Sequence, residues 1–314
     1  MSDNSIFNRF EREKDGALIL PGPMEGVLGP SWLTVLTAHR WIRGWWTPFL
    51  RISTGVPRYS RLRDWLSPYL ATDLPVIAQL MGCDSNRIAQ TGKRLAELGA
   101  AALDLNCACP SREVVTSQAG GWHLQHPVWI GETLRAMRVA APGTPICVKL
   151  RAGWSEPDFV ERIAPILNAV KPDLVAVHFR TVAEGYRPIT DGLARLTRIR
   201  AALPGLVVLG SGDLFTTADI RRMLAETGVD GALPARGLLK NPRLLHDYAQ
   251  ECAGEQPATF DTTAQLSFLR EIAQAGATRG FILQLAANFF GPKSDQFQQL
   301  LANKDFFKNF KKRL

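Results

Sequence analysis

No apolar run in the chain approaches the ~20 residues that a membrane-spanning helix needs. Residues 1–16 are polar and mixed in charge, without the apolar stretch of a secretory signal, so a cytosolic protein with no membrane partner is expected. Cysteine is scarce. The five present (Cys83, Cys107, Cys109, Cys147, Cys252) are odd in number and unevenly spread, which argues against a disulfide framework. No metal site is expected either, because Cys107-Ala108-Cys109 is tighter than the usual two-residue zinc knuckle and no second pair exists. The Gly-x-Gly-x-x-Gly fingerprint is missing after the first apolar run, which disfavours an open doubly wound sheet. With 46% hydrophobic and 21% charged residues, the composition is that of a globular chain and excludes disorder.

Acid is missing from one stretch in particular. Between His39 and Arg63 stand Arg40, Arg43, Arg51, Arg58, Arg61 and Arg63, with no Asp or Glu and with Trp41, Trp45, Trp46, Phe49 and Tyr59 interleaved. The whole chain carries 37 Lys and Arg against 29 Asp and Glu, and Lys308, Lys311, Lys312 and Arg313 gather at its end. Arginine beside aromatic rings suits phosphates and unstacked bases. A solvated basic face over a few core tryptophans is the plainer alternative.

What is present is an alternation of short apolar runs and longer amphipathic segments. The runs 17–20, 49–52, 75–80, 101–105, 145–150, 174–178, 206–209 and 231–233 lack polar alternation, as parallel strands buried on both faces do. Between them, 86–98, 127–140, 156–170 and 217–227 carry helical spacing. Strands and helices in this count and length predict an α/β fold, a (β/α)8 TIM barrel. Beyond Thr259 strands cease, and 262–278, 281–290 and 295–303 read as helices. The expected division is an N-terminal extension over 1–16, a barrel over 17–254 and a small helical domain over 255–314. Barrel chemistry sits at the C-terminal ends of the strands. There the sequence places Pro23-Met24-Glu25-Gly26, Gln79, Asn106 to Pro110, Lys149 to Arg151, His178 to Thr181, Ser211-Gly212-Asp213 and Ala235-Arg236-Gly237.

Four of these segments, in order, carry a resemblance: Pro23 to Leu28, Asp104 to Ser111, Val148 to Trp154 and Val177 to Thr181. Together they resemble the tRNA-dihydrouridine synthases, and Pro-Met-Glu-Gly-Val-Leu is most similar to the branch that reduces uridine 16 of the D-loop. The resemblance implies an FMN-bound barrel followed by a tRNA-binding helical domain, with NADPH reducing the flavin, hydride passing to C6 of uracil and a cysteine protonating C5. Cys109 matches that proton donor. Lys149 matches the lysine at the pyrimidine edge of the flavin, and His178 matches a histidine near flavin and substrate. Gln79 and Pro23-Met24-Glu25 match positions that hold the isoalloxazine, and the loops containing Ser211, Gly212, Asp213, Ala235 and Arg236 match those around the phosphate. Asn106, Arg40, Arg43, Arg51, Arg58, Lys311 and Lys312 are the candidates for contact with tRNA, and a monomer is expected.

The chain also departs from the family pattern. Gly22 stands for the usual Ala, Thr47-Pro48 for Thr-Glu, Ala108 for Gly, Ser211-Gly212-Asp213 for Asn-Gly-Glu, and Ala235 for the Gly before the arginine. Trp122 and His123 occupy a usually small-residue stretch, and Arg and Lys are few around Phe281 to Gln284. A tRNA-binding protein without flavin, or a barrel flavoprotein acting on a small pyrimidine, are the alternatives these departures keep open.

Overall fold

The computed structural model describes residues 6–27 and 29–303. Its apolar runs form one curled, wholly parallel sheet: β1 (Leu18–Ile19), β2 (Trp45–Trp46), β3 (Leu50–Ile52), β4 (Val76–Gly82), β5 (Ala102–Cys107), β6 (Ile146–Arg151), β7 (Leu174–His178), β8 (Val208–Ser211) and β9 (Gly231–Ala232). The order is β1-β9-β8-β7-β6-β5-β4-β2, with β3 also on β4. β2 and β3 are two halves of one stave, so the sheet is an eight-stave (β/α)8 barrel.

The second stave is broken for a local reason. Trp46 lies opposite Ile77 and Leu50 opposite Leu80, so β2/β3 spends one more residue than β4 between the two pairings. That is a bulge. Pro48 lies within it and has no N–H for the ladder. Thr47 restores one bond, its Oγ1 accepting the Gln79 N–H at 2.9 Å. Only the later half of this stave was expected from the sequence; Trp45–Trp46 was not.

Side chains alternate along each strand, and the inward set changes character from base to mouth. Ile77 is followed by Gln79, Ala102 by Asp104 and Asn106, Cys147 by Lys149 and Arg151, and Ala176 by His178. The apolar members join Leu18, Leu20, Trp46, Leu209 and Leu233 in one cluster inside the barrel. Ile6 and Phe10, from the segment expected as an extension, are buried in the same cluster and plug the base. Cys107 points the other way, into the larger cluster between strands and helices.

Around the sheet run α1 (Pro30–Ala38), α2 (Tyr59–Leu70), α3 (Ser85–Glu97), α4 (Arg112–Thr116), α5 (Pro127–Ala140), α6 (Phe159–Arg162), α7 (Ala164–Val170), α8 (Gly192–Ala202), α9 (Thr217–Thr227), α10 (Arg236–Lys240) and α11 (Leu244–Cys252). α9 has the bounds its pattern predicts, because Thr216 and Asp219 form a reciprocal capping box and Gly228 ends it at φ +67. The helix expected over 156–170 is instead split into α6 and α7. Pro165 cannot donate to the carbonyl four residues earlier and crowds it, so the second piece starts afresh. Helices α12 (Thr262–Gln274), α13 (Arg279–Phe290) and α14 (Asp295–Ala302) follow the barrel. Phe268 and Phe281 pack edge-on against buried Trp32 of α1, each at 5.8 Å. Among the described residues no helix is long and apolar enough to cross a membrane.

Candidate active site at the barrel mouth

The polar ends of the inward side-chain rows converge on a cavity of about 350 Å³. Its walls include the residues that the resemblance assigns to the proton donor, the flavin and the base: Pro23, Met24, Glu25, Gln79, Asn106, Cys109, Lys149, His178, Ser211, Gly212, Asp213, Ala235 and Arg236. Strand parity explains the convergence, since residues two apart near the end of a strand face the same interior.

Cys109 is fixed by its backbone. Asn106 Oδ1 accepts the N–H of both Ala108 and Cys109 at 3.0 Å. Arg151 Nε donates to the Ala108 carbonyl at 2.8 Å, and the Cys109 carbonyl accepts from Gly121 N at 3.0 Å. Burial pushes the Cys109 thiol up, and the Ser111 backbone hydrogen bond with the nearby Arg151 and Lys149 charges only partly offsets this. The group is therefore a thiol, not a thiolate, at neutral pH.

Lys149 has no salt bridge among the described residues. Burial and the Arg151 charge bring its ammonium down to about 8, although Asp104 attracts it. Arg151 is 2% exposed and is held by carbonyls rather than carboxylates, those of Ala108, Thr181 and Gly185. His178 Nδ1 accepts the Arg180 N–H at 3.2 Å. Burial and four surrounding cations hold this imidazole well below its usual range, so it is neutral with its proton on Nε2. The floor of the mouth is thus cationic without matching acid, which suits an anionic ligand.

On the far wall, Asp213 joins two arginines. Arg180, 2% exposed, donates to Asp213 Oδ1 at 2.9 Å and Oδ2 at 2.5 Å, and Arg236 donates to Oδ1 at 3.0 Å. The Arg236 guanidinium also lies 4.7 Å from the centre of the Tyr186 ring. Asp213→Asn keeps the shape and tolerates the backbone φ of +48, while it removes the charge and turns one of the two accepting oxygens into a donor. It is expected to lower apoprotein stability by about 1–2 kcal/mol, between the values for an exposed and a fully buried pair, because Asp213 is itself 40% exposed. An unchanged urea midpoint would show that other groups satisfy both arginines.

Two departures from the family pattern compensate each other. A Cβ on Gly22 would lie 2.8 Å from the Ala235 Cβ and 3.1 Å from the Pro234 carbonyl oxygen. The methyl that one loop gains is the one the facing loop lacks. Trp122 and His123 are packing groups: His123 donates through Nε2 to the Gly82 carbonyl at 2.8 Å and stacks on Trp129 at 3.4 Å.

The basic stretch does not act as one surface. Arg40 and Arg43 precede β2 and lie at the opposite end of the barrel, where Arg43 pairs with Glu11 at 2.5 Å and Glu13 at 3.3 Å. Trp45 and Trp46 are fully buried, so they are core rather than stacking platforms. Arg51 and Arg58 are on the mouth side, Arg51 paired with Glu113 at 2.6 Å. Lys311 and Lys312 lie outside the described residues. Tyr186 and Phe215 escaped the sequence reading, since they sit in loops with no periodic signal, while Arg151 and Asp104 stood in quoted segments without a role of their own.

The dihydrouridine synthase family model matches residues 52–286. The tRNA-dihydrouridine(16) synthase of Vibrio cholerae is 33% identical over 234 residues, covering 72% of each chain. That of Vibrio vulnificus is 33% identical over 236 residues, 72% of this chain and 73% of its own. Among solved structures, an old yellow enzyme homologue from Zymomonas mobilis superposes with a TM-score of 0.52 at 11% identity, covering 80% of this chain and 87% of that one, a likeness of fold. With three quarters of its length matched and its motif residues gathered on one barrel mouth, the chain belongs to the dihydrouridine synthase family.

Proposed function

We propose that this enzyme reduces uridine 16 in the D-loop of tRNA to dihydrouridine, using FMN and NADPH, in the cytoplasm. The observation that carries the reading is the placement of a protonated thiol, Cys109, on the same cavity wall as Lys149, an ammonium with no salt bridge among the described residues. The cavity fits a flavin by its donor chemistry. Lys149 and Arg151 await negative charge on the floor, and Arg236 stands at the loops after β8 and β9, where barrels of this kind hold phosphate. Once bound, the flavin supplies hydride for C6 of uracil. The chain's own task is then to orient the base, exclude water and deliver the Cys109 proton to C5.

A target base in a folded tRNA must leave its stack to reach this cavity. A second groove of about 420 Å³ shares Glu25, Val27, Pro48 and Phe49 with the cavity and runs to Thr278 and Phe281 at the start of α13. We assign tRNA approach to this side, with α12–α14 as its helical binding unit and Arg51 and Arg58 beside the entry. Arg40 and Arg43 have no part in it. The test is to map dihydrouridine in tRNA from the native host with and without the gene. Loss at position 16 alone is expected, and an unchanged map in a strain lacking other enzymes of this class would overturn the reading.

A further inference from the structure

Inside the barrel, below the cavity, lies a row of polar side chains that the proposed chemistry does not use. Asp104 is fully buried at the middle of β5. Its Oδ2 accepts from Gln79 Nε2 at 2.7 Å and from Trp46 Nε1 at 3.1 Å. Gln79 Oε1 in turn accepts from Asn106 Nδ2 at 2.8 Å, and Asn106 Oδ1 receives the backbone N–H groups of Ala108 and Cys109.

The directions in this relay are forced from both ends. An indole N–H can only donate, so Asp104 Oδ2 must accept. Two backbone N–H groups fix the oxygen of Asn106, so its nitrogen must face Gln79. With either carboxamide flipped, two donors or two acceptors would meet among buried side chains, costing far more than one exposed hydrogen bond. We propose that Asp104 is a positioning residue: its acceptor oxygen sets the orientation of Gln79 and Asn106, and through them the seat of Cys109. This rests on the functional reading above for the role of Cys109, but not for the relay itself.

Burial pushes Asp104 up to about 7, against the hydrogen bonds of Gln79 and Trp46 and the charge of Lys149. The relay does not depend on which form is present. Oδ2 already accepts twice, while Oδ1 is buried without a hydrogen-bond partner, so an added proton belongs on Oδ1 and leaves Oδ2 an acceptor. An amide can therefore replace the acid, and an alkyl side chain cannot.

The experiment compares Asp104→Asn and Asp104→Leu in the full-length holoenzyme. For Asp104→Leu, kcat on tRNA is expected to fall about tenfold or more with KM within about twofold, the size of the penalty for leaving a buried N–H of Gln79 without its acceptor. Its Cys109 should also react with iodoacetamide several times faster than in the parent, read against exposed Cys83 in the same sample by peptide mass spectrometry. Asp104→Asn should stay within about threefold of the parent in both readouts. A folded Asp104→Leu protein with parental kcat and parental Cys109 alkylation overturns the proposal, as does an Asn variant impaired as deeply as Leu. Should the Leu variant fail to fold, Asp104→Val tests the same relay, because it too removes the acceptor while placing less bulk in the strand. The same loss of kcat is expected from it, and parental kcat overturns the proposal. A parent enzyme inert toward tRNA would defeat the functional reading, while the alkylation comparison would still decide the relay.

Discussion

An alanine at position 109 is expected to leave flavin and tRNA bound while slowing uracil reduction by about 10²–10⁴, the usual worth of a placed general acid. The reasoning is one of supply. Protonation of C5 needs an acid that keeps its proton at neutral pH and lies where water is scarce. Burial raises the Cys109 thiol, and its backbone is fixed by the N–H it donates to Asn106 Oδ1 and the carbonyl that accepts from Gly121 N. Serine offers a hydroxyl of similar shape that is a far weaker acid, so Cys109→Ser should recover little. Single-turnover reduction of unmodified tRNA, with the visible spectrum as a check on bound flavin, measures the effect. Undiminished turnover would remove Cys109 from the mechanism.

Lys149→Met should move binding and stability in opposite directions. In the apoprotein the ammonium is a burden, taken out of water beside Arg151 with Asp104 as its main attraction. Its folded pKa of about 8 lies below the ordinary lysine value, so between these two the unfolded chain binds more protons and stability rises with pH. Below about 8 the group is charged in both states and the whole penalty is present. The Met variant should therefore melt higher at pH 7 and lose the rise toward pH 10. Its affinity for flavin should drop by about tenfold or more, because the charge meeting the anionic edge of the ligand has gone. Melting the apoprotein across pH and titrating flavin measure both arms. A variant that melts lower and binds flavin equally well would make Lys149 a structural residue.

The barrel was legible because parallel strands buried on both faces read as unbroken apolar runs, and the site because strand ends announce themselves with Gly, Pro and polar residues. Residue choice within a strand was harder to read. Asp104 stood in a quoted motif, yet in a run read for its hydrophobicity a single carboxylate looks like a strand near its end. Only three-dimensional parity shows that it shares an interior with Gln79 and Lys149. Charge misled where it was taken as a surface property. Arg43 is neutralised by Glu11 and Glu13, which are some thirty residues away in sequence and adjacent in space. The Gly22 and Ala235 departures each looked like damage because a single sequence lists them far apart, and the fold brings them into one contact.

The bulge in the second stave has a consequence for how such a cavity can change. Four steps of chain from Trp46 to Leu50 run beside three from Ile77 to Leu80. Removing Pro48 or Phe49 equalises the count and keeps the Thr47 bonds to Ile77 and Gln79, so the pairings on either side stay as they are and none of the other staves is asked to move. Pro48 and Phe49 wall both the cavity and the adjoining groove. A single-codon deletion at this place would thus alter the doorway between the two while leaving the frame of the building untouched.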